Sequence, residues 1–411
     1  MECDRVGSAM SLEHHVKRIA LTKLCEGAPG GKILGPRMGT GGPFTGVFLW
    51  DTAFTAIWAR YFKDELPVER SLDNMYRLQN GDGFIGREFS ADGIPVWPAD
   101  HPMSFAPPVL TWAELDLHAL TGDTERIRRV FPDLRAHHDC CAARFRCDDG
   151  LYFGDPWGAG MDNLPRWPRD FTGGNDGVRI REQDIHPAAV NWFRGWVCTS
   201  PGGMWNRQGR YIDMSAQMAF DALNLARMAA LIGDAESEKT YIAEHTGLAG
   251  VINERCWDEE RKFYVDLGYG KQIPRLHVGG FWPLIARIVP AQRLDGLLSH
   301  LTNPDTFDRP VPVPSLAAND PDYARDGGYW CGASWPPTTY MVLCGLRTVG
   351  ADDLARSIAK KYHDAISAVY DLTGTFWENI SPESPVPGNP AAPDFCGWAG
   401  LGPVAVAREF L

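Results

Sequence analysis

The stretch WGAGMDNLPRW, from Trp157 to Trp167, sets a single carboxyl group, Asp162, midway between two tryptophans, with Asn163 and Arg166 beside it. A carboxyl group held against apolar rings resists ionisation and can keep a proton near neutral pH. A second acid stands in a comparable setting: Glu378 of TFWENISPES directly follows Trp377. Glycoside hydrolysis needs two such groups flanking the bond to be broken, and an inverting enzyme holds them about 6.5–9.5 Å apart so that water fits under the base. Each acid also has a plainer reading. Asp162 suits a turn that bonds its own backbone, and Glu378 suits a solvated loop charge or a helix-cap partner. Asp51 in GVFLWDTAF and Asp213 in YIDMSAQ both open helices, so capping is their first reading, with hydroxyl binding a further use for Asp51.

Other chemistries find little support. Phosphate-binding glycine loops, HExxH, GxSxG and calcium-loop patterns are missing from the sequence. The pairs His14–His15 and His137–His138 fall on amphipathic helical stretches, so no metal site is expected. His277 in RLHVGGFW is a pocket candidate because of its glycines, with a satisfied buried histidine as the equal alternative. The DPDY stretch around Asp320 reads as a turn as readily as a cation ligand. The 10 cysteines are scattered, with Cys140 and Cys141 adjacent, and read as reduced packing residues. A formal charge of −12 argues against nucleic acid or an anionic membrane as partner. No apolar run suits a signal peptide or a membrane span, and a cytoplasmic protein without cofactor is expected. The 15 tryptophans, many beside Gly, Pro and Asp, suit a pocket for sugar rings as well as a core.

The elements that must hold these residues are helical. Apolar residues recur at three- and four-residue steps near 11–25, 50–63, 66–79, 108–121, 124–146, 212–232, 235–256, 278–288, 290–301, 334–349, 352–370 and 399–410. LTGDTERI, LIGDAESE and TVGADDLA punctuate them: glycine closes one helix and Asp or a small residue starts the next, the signature of antiparallel helical hairpins. Long Gly/Pro/Trp-rich connections at 81–106, 147–211, 303–333 and 373–398 suit a functional surface. The expectation is an all-α chain forming one domain over 1–411, with six hairpins closed into an (α/α)6 barrel. Its long loops would gather at one end as a pocket.

Taken in order, GVFLWDTAF, WGAGMDNLPRW, GGYWCGASWPPTTYMVLCGL, FWENISPE and DFCGWAGLGPVAVA resemble glycoside hydrolase family 63 and the related mannosylglycerate and glucosylglycerate hydrolases. The trehalases are more distant relatives. The resemblance runs from about residue 40 to the end. It implies an inverting α-glycosidase with Asp162 as general acid and Glu378 as general base. Trp50, Asp51, Trp157, Gly160, Tyr329, Trp330 and Trp335 would then line the pocket, with Asn163, Arg166, His277 and Trp398 as further candidates. The partner would be a small carbohydrate such as glucosylglycerate or mannosylglycerate, then trehalose or another α-glucoside. The chain departs from the family at Gly158–Ala159, where Glu-Ser is common, at Cys331 in place of Arg, and at Ala106 in place of Gln. Residues 163–211 read as a lid or aglycone-side wall, in which Arg166, Arg179 and Arg181 could meet an anionic aglycone. Two readings from other classes remain: a sugar epimerase using His277 and His186 as acid and base, and a binding protein, which would have no need of both carboxylates.

Overall fold

The computed structural model describes residues 2–27, 31–167, 183, 185–187, 190 and 208–411. The expected lid, with Arg179 and Arg181, falls largely outside them. The chain is mostly helical, with α-helices at Glu2–Thr22, Leu49–Ala59, Val68–Arg77, Leu110–Thr121, Thr124–Phe145, Ile212–Ile232, Ala235–Arg255, Trp282–Ile285, Ala291–Ser299, Pro336–Thr348, Asp352–Thr373 and Ala407–Phe410. No helix among the described residues is long and apolar enough to cross a membrane.

The hairpin punctuation works as the residue types dictate. Gly122 and Gly233 close their helices at φ 70° and 80°, a conformation that disfavours residues with a Cβ. Asp123 and Asp234 then cap the next helices, accepting the N–H of Arg126 and of Ser237, each at 3.0 Å. A cap of this kind contributes about 1 kcal/mol. Three expected helices are altered. The first begins at Glu2 and ends at Thr22, because Leu24–Cys25 pairs antiparallel with Arg37–Met38. The segment near 278–288 is a 3-10 turn, Val278–Phe281, followed by one helical turn. The last opens as a 3-10 turn at Trp398–Leu401 and widens to a π-turn before the α-helical end. There a Cβ on Gly400 would lie 2.3 Å from the ring of Trp58, so the backbone itself is packed against that tryptophan.

Burial alternates along the chain. Leu49–Ala59, Ile212–Ile232, Trp282–Ile285 and Pro336–Thr348 bury most of their residues and Leu110–Thr121 buries half, while Ala235–Arg255 and Asp352–Thr373 bury one stripe and expose more of the rest. Each buried helix packs on the next, Pro336–Thr348 packs on Trp398–Leu401, and that segment packs back on Leu49–Ala59. Trp112 stands where they meet: its ring lies 5.5–6.5 Å from those of Phe54, Phe220, Trp282 and Tyr340. One apolar core runs from Leu12 to Phe410. Each buried segment is entered from a loop or short turn that precedes it. Trp50–Asp51, Asp213, His277, Trp335 and Trp398 all sit at those entries.

Candidate active site

Asp162 lies in a loop that builds itself from short-range contacts. The carboxylate of Asp155 accepts the N–H of Trp157 at 2.8 Å and of Gly158 at 3.3 Å, turning the chain. Gly160 adopts φ 77°, and a Cβ there would lie 2.6 Å from the ring of Trp50. A Cβ on Gly158 would lie 2.4 Å from the carbonyl oxygen of Pro102. That backbone fills the space a Cβ would need, a direct reason for the glycine. Burial pushes the Asp162 carboxyl up to about 8; the Arg87 guanidinium opposes the rise, and Glu378, Asp155 and Glu88 add to it. Asp162 therefore holds its proton at neutral pH.

Glu378 is only 3% exposed. Burial pushes it up to about 7, restrained by two donors to its carboxylate: Tyr329 Oη–H to Oε1 at 3.0 Å and the N–H of Ala392 to Oε2 at 3.2 Å. Trp398 Nε1 donates to the Glu378 carbonyl at 2.9 Å, and Ile380 pairs with Ser334, so the backbone is held on both sides. Asp51 occupies the first turn of its helix, whose cap position is Phe48, so Asp51 is not the cap residue. It is buried, and burial together with the nearby Glu378, Glu88 and Asp162 raises its carboxyl well above the usual range. Asp51, Asp162 and Glu378 are thus gathered in one electrostatic neighbourhood.

The tryptophans divide into two groups. Trp330 stacks flat on Trp335 at 3.9 Å, and Trp50, Trp398 and Tyr329 pack around that pair at 4.9–6.2 Å. Trp50 and Trp398 keep 7% and 6% of their surface accessible, whereas Trp330 and Trp335 keep 1% or less. The expectation that all of them wall the pocket is thereby corrected: Trp330 and Trp335 cover each other and back Trp50 and Trp398, which are themselves largely buried. Trp157 is likewise fully buried, in a separate small core with Val96, Trp97, Met103 and Ile185.

Arg166 and His277 are also corrected. Arg166 is wholly buried and paired with Asp213 and, at 2.9 Å, with Asp266. Burial works against its charge, but the two carboxylates outweigh it and hold the guanidinium ionised. His277 Nε2 lies 3.2 Å from Asp266, and its Nδ1 accepts the N–H of Gly279. Asp266 also accepts the N–H of Ile212. These residues form an internal ionic brace beneath the loops, closed to an aglycone or to acid–base work. Asp213 belongs to the brace and not to a cap, because the cap position of its helix is Tyr211. The amide of Asn163 bonds the backbone at both ends, to Gly328 and Trp330.

Arg87 and Glu88 belong to the site and escaped the sequence reading. Glu88 pairs across from Phe48, just ahead of Trp50 and Asp51, and accepts Trp97 Nε1–H at 2.8 Å. Arg87 lies over the Trp97 ring at 4.9 Å and 3.8 Å from Glu88. The signal was a charged pair, Arg-Glu, inside the long connection 81–106.

Residues 45–388 match the family described as the Mannosylglycerate hydrolase MGH1-like glycoside hydrolase domain. The chain belongs to that family. As an MGH1-like glycoside hydrolase it is a glycosidase. It is 27% identical over 377 residues to the mannosylglycerate hydrolase of Thermus thermophilus, covering 80% of this chain and 89% of that one. It is 22% identical to an uncharacterized protein of Borreliella burgdorferi, covering 78% of this chain and about three fifths, 61%, of that longer one. A solved GH63 mannosylglycerate hydrolase from Thermus thermophilus, in complex with Tris and D-glycerate, superposes with a TM-score of 0.70 at 22% identity, over 95% of this chain and 99% of that one. Neutral trehalase from Saccharomyces cerevisiae shares the fold at a TM-score of 0.66 and 14% identity, over 90% and 73%.

Proposed function

We propose that this MGH1-like glycosidase hydrolyses a small α-glucoside or α-mannoside with inversion, Asp162 donating the proton and Glu378 activating water. The carrying observation is two neighbouring carboxyl groups with unlike surroundings, a partly buried Asp162 and a buried Glu378. Asp162 accepts no hydrogen bond among the described residues and is held neutral by burial. Glu378 receives two donors that favour its charged form. Protonation of the glycosidic oxygen by Asp162 and removal of a proton from water by Glu378 then displace the aglycone in one step. In this reading Asp51 and Glu88 accept sugar hydroxyls, and Trp50 and Trp398 supply the aromatic wall. The ring of buried helices, each packed on the next, supports an (α/α)6 barrel with the site at its loop-rich end.

The named relatives favour mannosylglycerate as substrate, with glucosylglycerate as its glucosyl counterpart, and the yeast trehalase neighbour makes trehalose the next choice. The epimerase reading is disfavoured because His277 is buried with both ring nitrogens engaged, Nε2 with Asp266 and Nδ1 with the N–H of Gly279. The test is turnover of these glycosides by Asp162→Asn and Glu378→Gln. Each variant should lose about 10²–10⁴-fold in kcat while remaining folded. Near-wild-type turnover by either would remove that residue from its role.

A further inference from the structure

The acid and the base lie on segments more than 200 residues apart, yet a short chain of hydrogen bonds joins them. Asn163, next to Asp162, donates from Nδ2 to the carbonyl of Gly328 at 3.0 Å, and its Oδ1 accepts the N–H of Trp330 at 2.9 Å. These two bonds grip the turn that carries Tyr329, and Tyr329 Oη–H reaches Glu378 Oε1 at 3.0 Å. The turn has one geometry available. Gly328 and Tyr329 sit at φ 51° and 62°, in succession, and a tyrosine takes that conformation only when its surroundings hold it there. Trp335 Nε1 donates to the Tyr329 carbonyl at 3.3 Å, and Ser315 Oγ–H donates to the Trp330 carbonyl at 2.8 Å, so the far side is pinned too. The Cys331 thiol adds a contact to the Asn163 carbonyl at 3.5 Å.

We infer that Asn163 and Tyr329 are positioning residues. They form a hydrogen-bonded strut that sets the distance and alignment between the Asp162 and Glu378 carboxyl groups. The inference rests on the acid and base roles proposed above. An inverting reaction depends on that distance, because the gap must admit one water and no more. Asn163 serves the acid end, since it adjoins Asp162. Tyr329 serves the base end, and its phenol also favours the charged form of Glu378.

The two ends separate experimentally. Asn163→Ala and Tyr329→Phe are compared with the unaltered protein on α-glucosyl and α-mannosyl fluoride, whose leaving group departs with little proton assistance, and on the O-glycoside that the unaltered protein cleaves fastest. Asn163→Ala should lose about 100-fold in kcat on the O-glycoside and less than about tenfold on the fluoride, with KM little changed. Tyr329→Phe, which preserves the ring and tests the strut even if the first variant fails to fold, should lose activity on both probes alike. It should also move the acidic limb of the pH profile upward by about half a unit to one unit. Equal losses on both probes for a folded Asn163→Ala, or an unmoved acidic limb in Tyr329→Phe, would overturn the strut. Inertness of the unaltered protein towards every O-glycoside and both fluorides would instead overturn the glycosidase mechanism, and the strut with it.

Discussion

Asp162 and Glu378 differ in what surrounds them, and that difference predicts a pH profile. The proposed mechanism needs Glu378 ionised and Asp162 protonated. With the two carboxyl groups titrating near about 7 and about 8, the rate should follow a narrow bell, falling below about 7 as the base is protonated and above about 8 as the acid ionises. The initial-rate profile of kcat/KM checks this. Arg87→Gln removes the cation that opposes the rise at Asp162, so the basic limb should move upward by about half a unit to one unit. A stability prediction has the same origin. The folded protein binds the Asp162 proton more tightly than the unfolded chain does. The penalty for ionising it is therefore absent below about pH 4 and complete above about pH 8. Asparagine escapes that penalty, so Asp162→Asn should be more stable than the unaltered protein by about 1–3 kcal/mol at pH 8 and no more stable at pH 4. Melting midpoints at the two pH values would show it.

At the scale of elements, the entry loops carry the chemistry and the helices behind them hold the loops in place. Gly160 is where the acid's loop meets the first buried helix, at φ 77° and against the ring of Trp50. Gly160→Ala should cost about 1–3 kcal/mol and lower turnover by displacing Asp162, measurable as a drop in melting midpoint together with kcat. Much of this level was legible in the sequence. The hairpins at Gly122 and Gly233 follow from glycine closing a helix and aspartate capping the next. The neighbourhood of Asp162 and Glu378 was visible because tryptophans crowd both. What escaped was long-range in origin. Nothing local tells that Arg166 meets Asp213 and Asp266, or that Trp330 and Trp335 cover each other, since those partners lie far off or depend on how a turn folds. Arg87 and Glu88 escaped because the strand that starts at Glu88 is two residues long, too short for a periodic signal.

For the whole molecule, one residue ties the buried helices together at their centre. Trp112 touches aromatic rings from four other buried segments, so its loss should be felt by all of them. Trp112→Ala should destabilise the protein by about 3–5 kcal/mol, seen as a large drop in the denaturant midpoint. The central claim is that these helices present one acid and one base to an α-glycosidic bond with water between them. Proton NMR tests it most directly, following the anomeric signals from the first minutes of reaction with glucosylglycerate, mannosylglycerate, trehalose and other α-glucosides. The β-anomer of the released sugar should appear before mutarotation. First appearance of the α-anomer, or no cleavage of any of these glycosides, would contradict it.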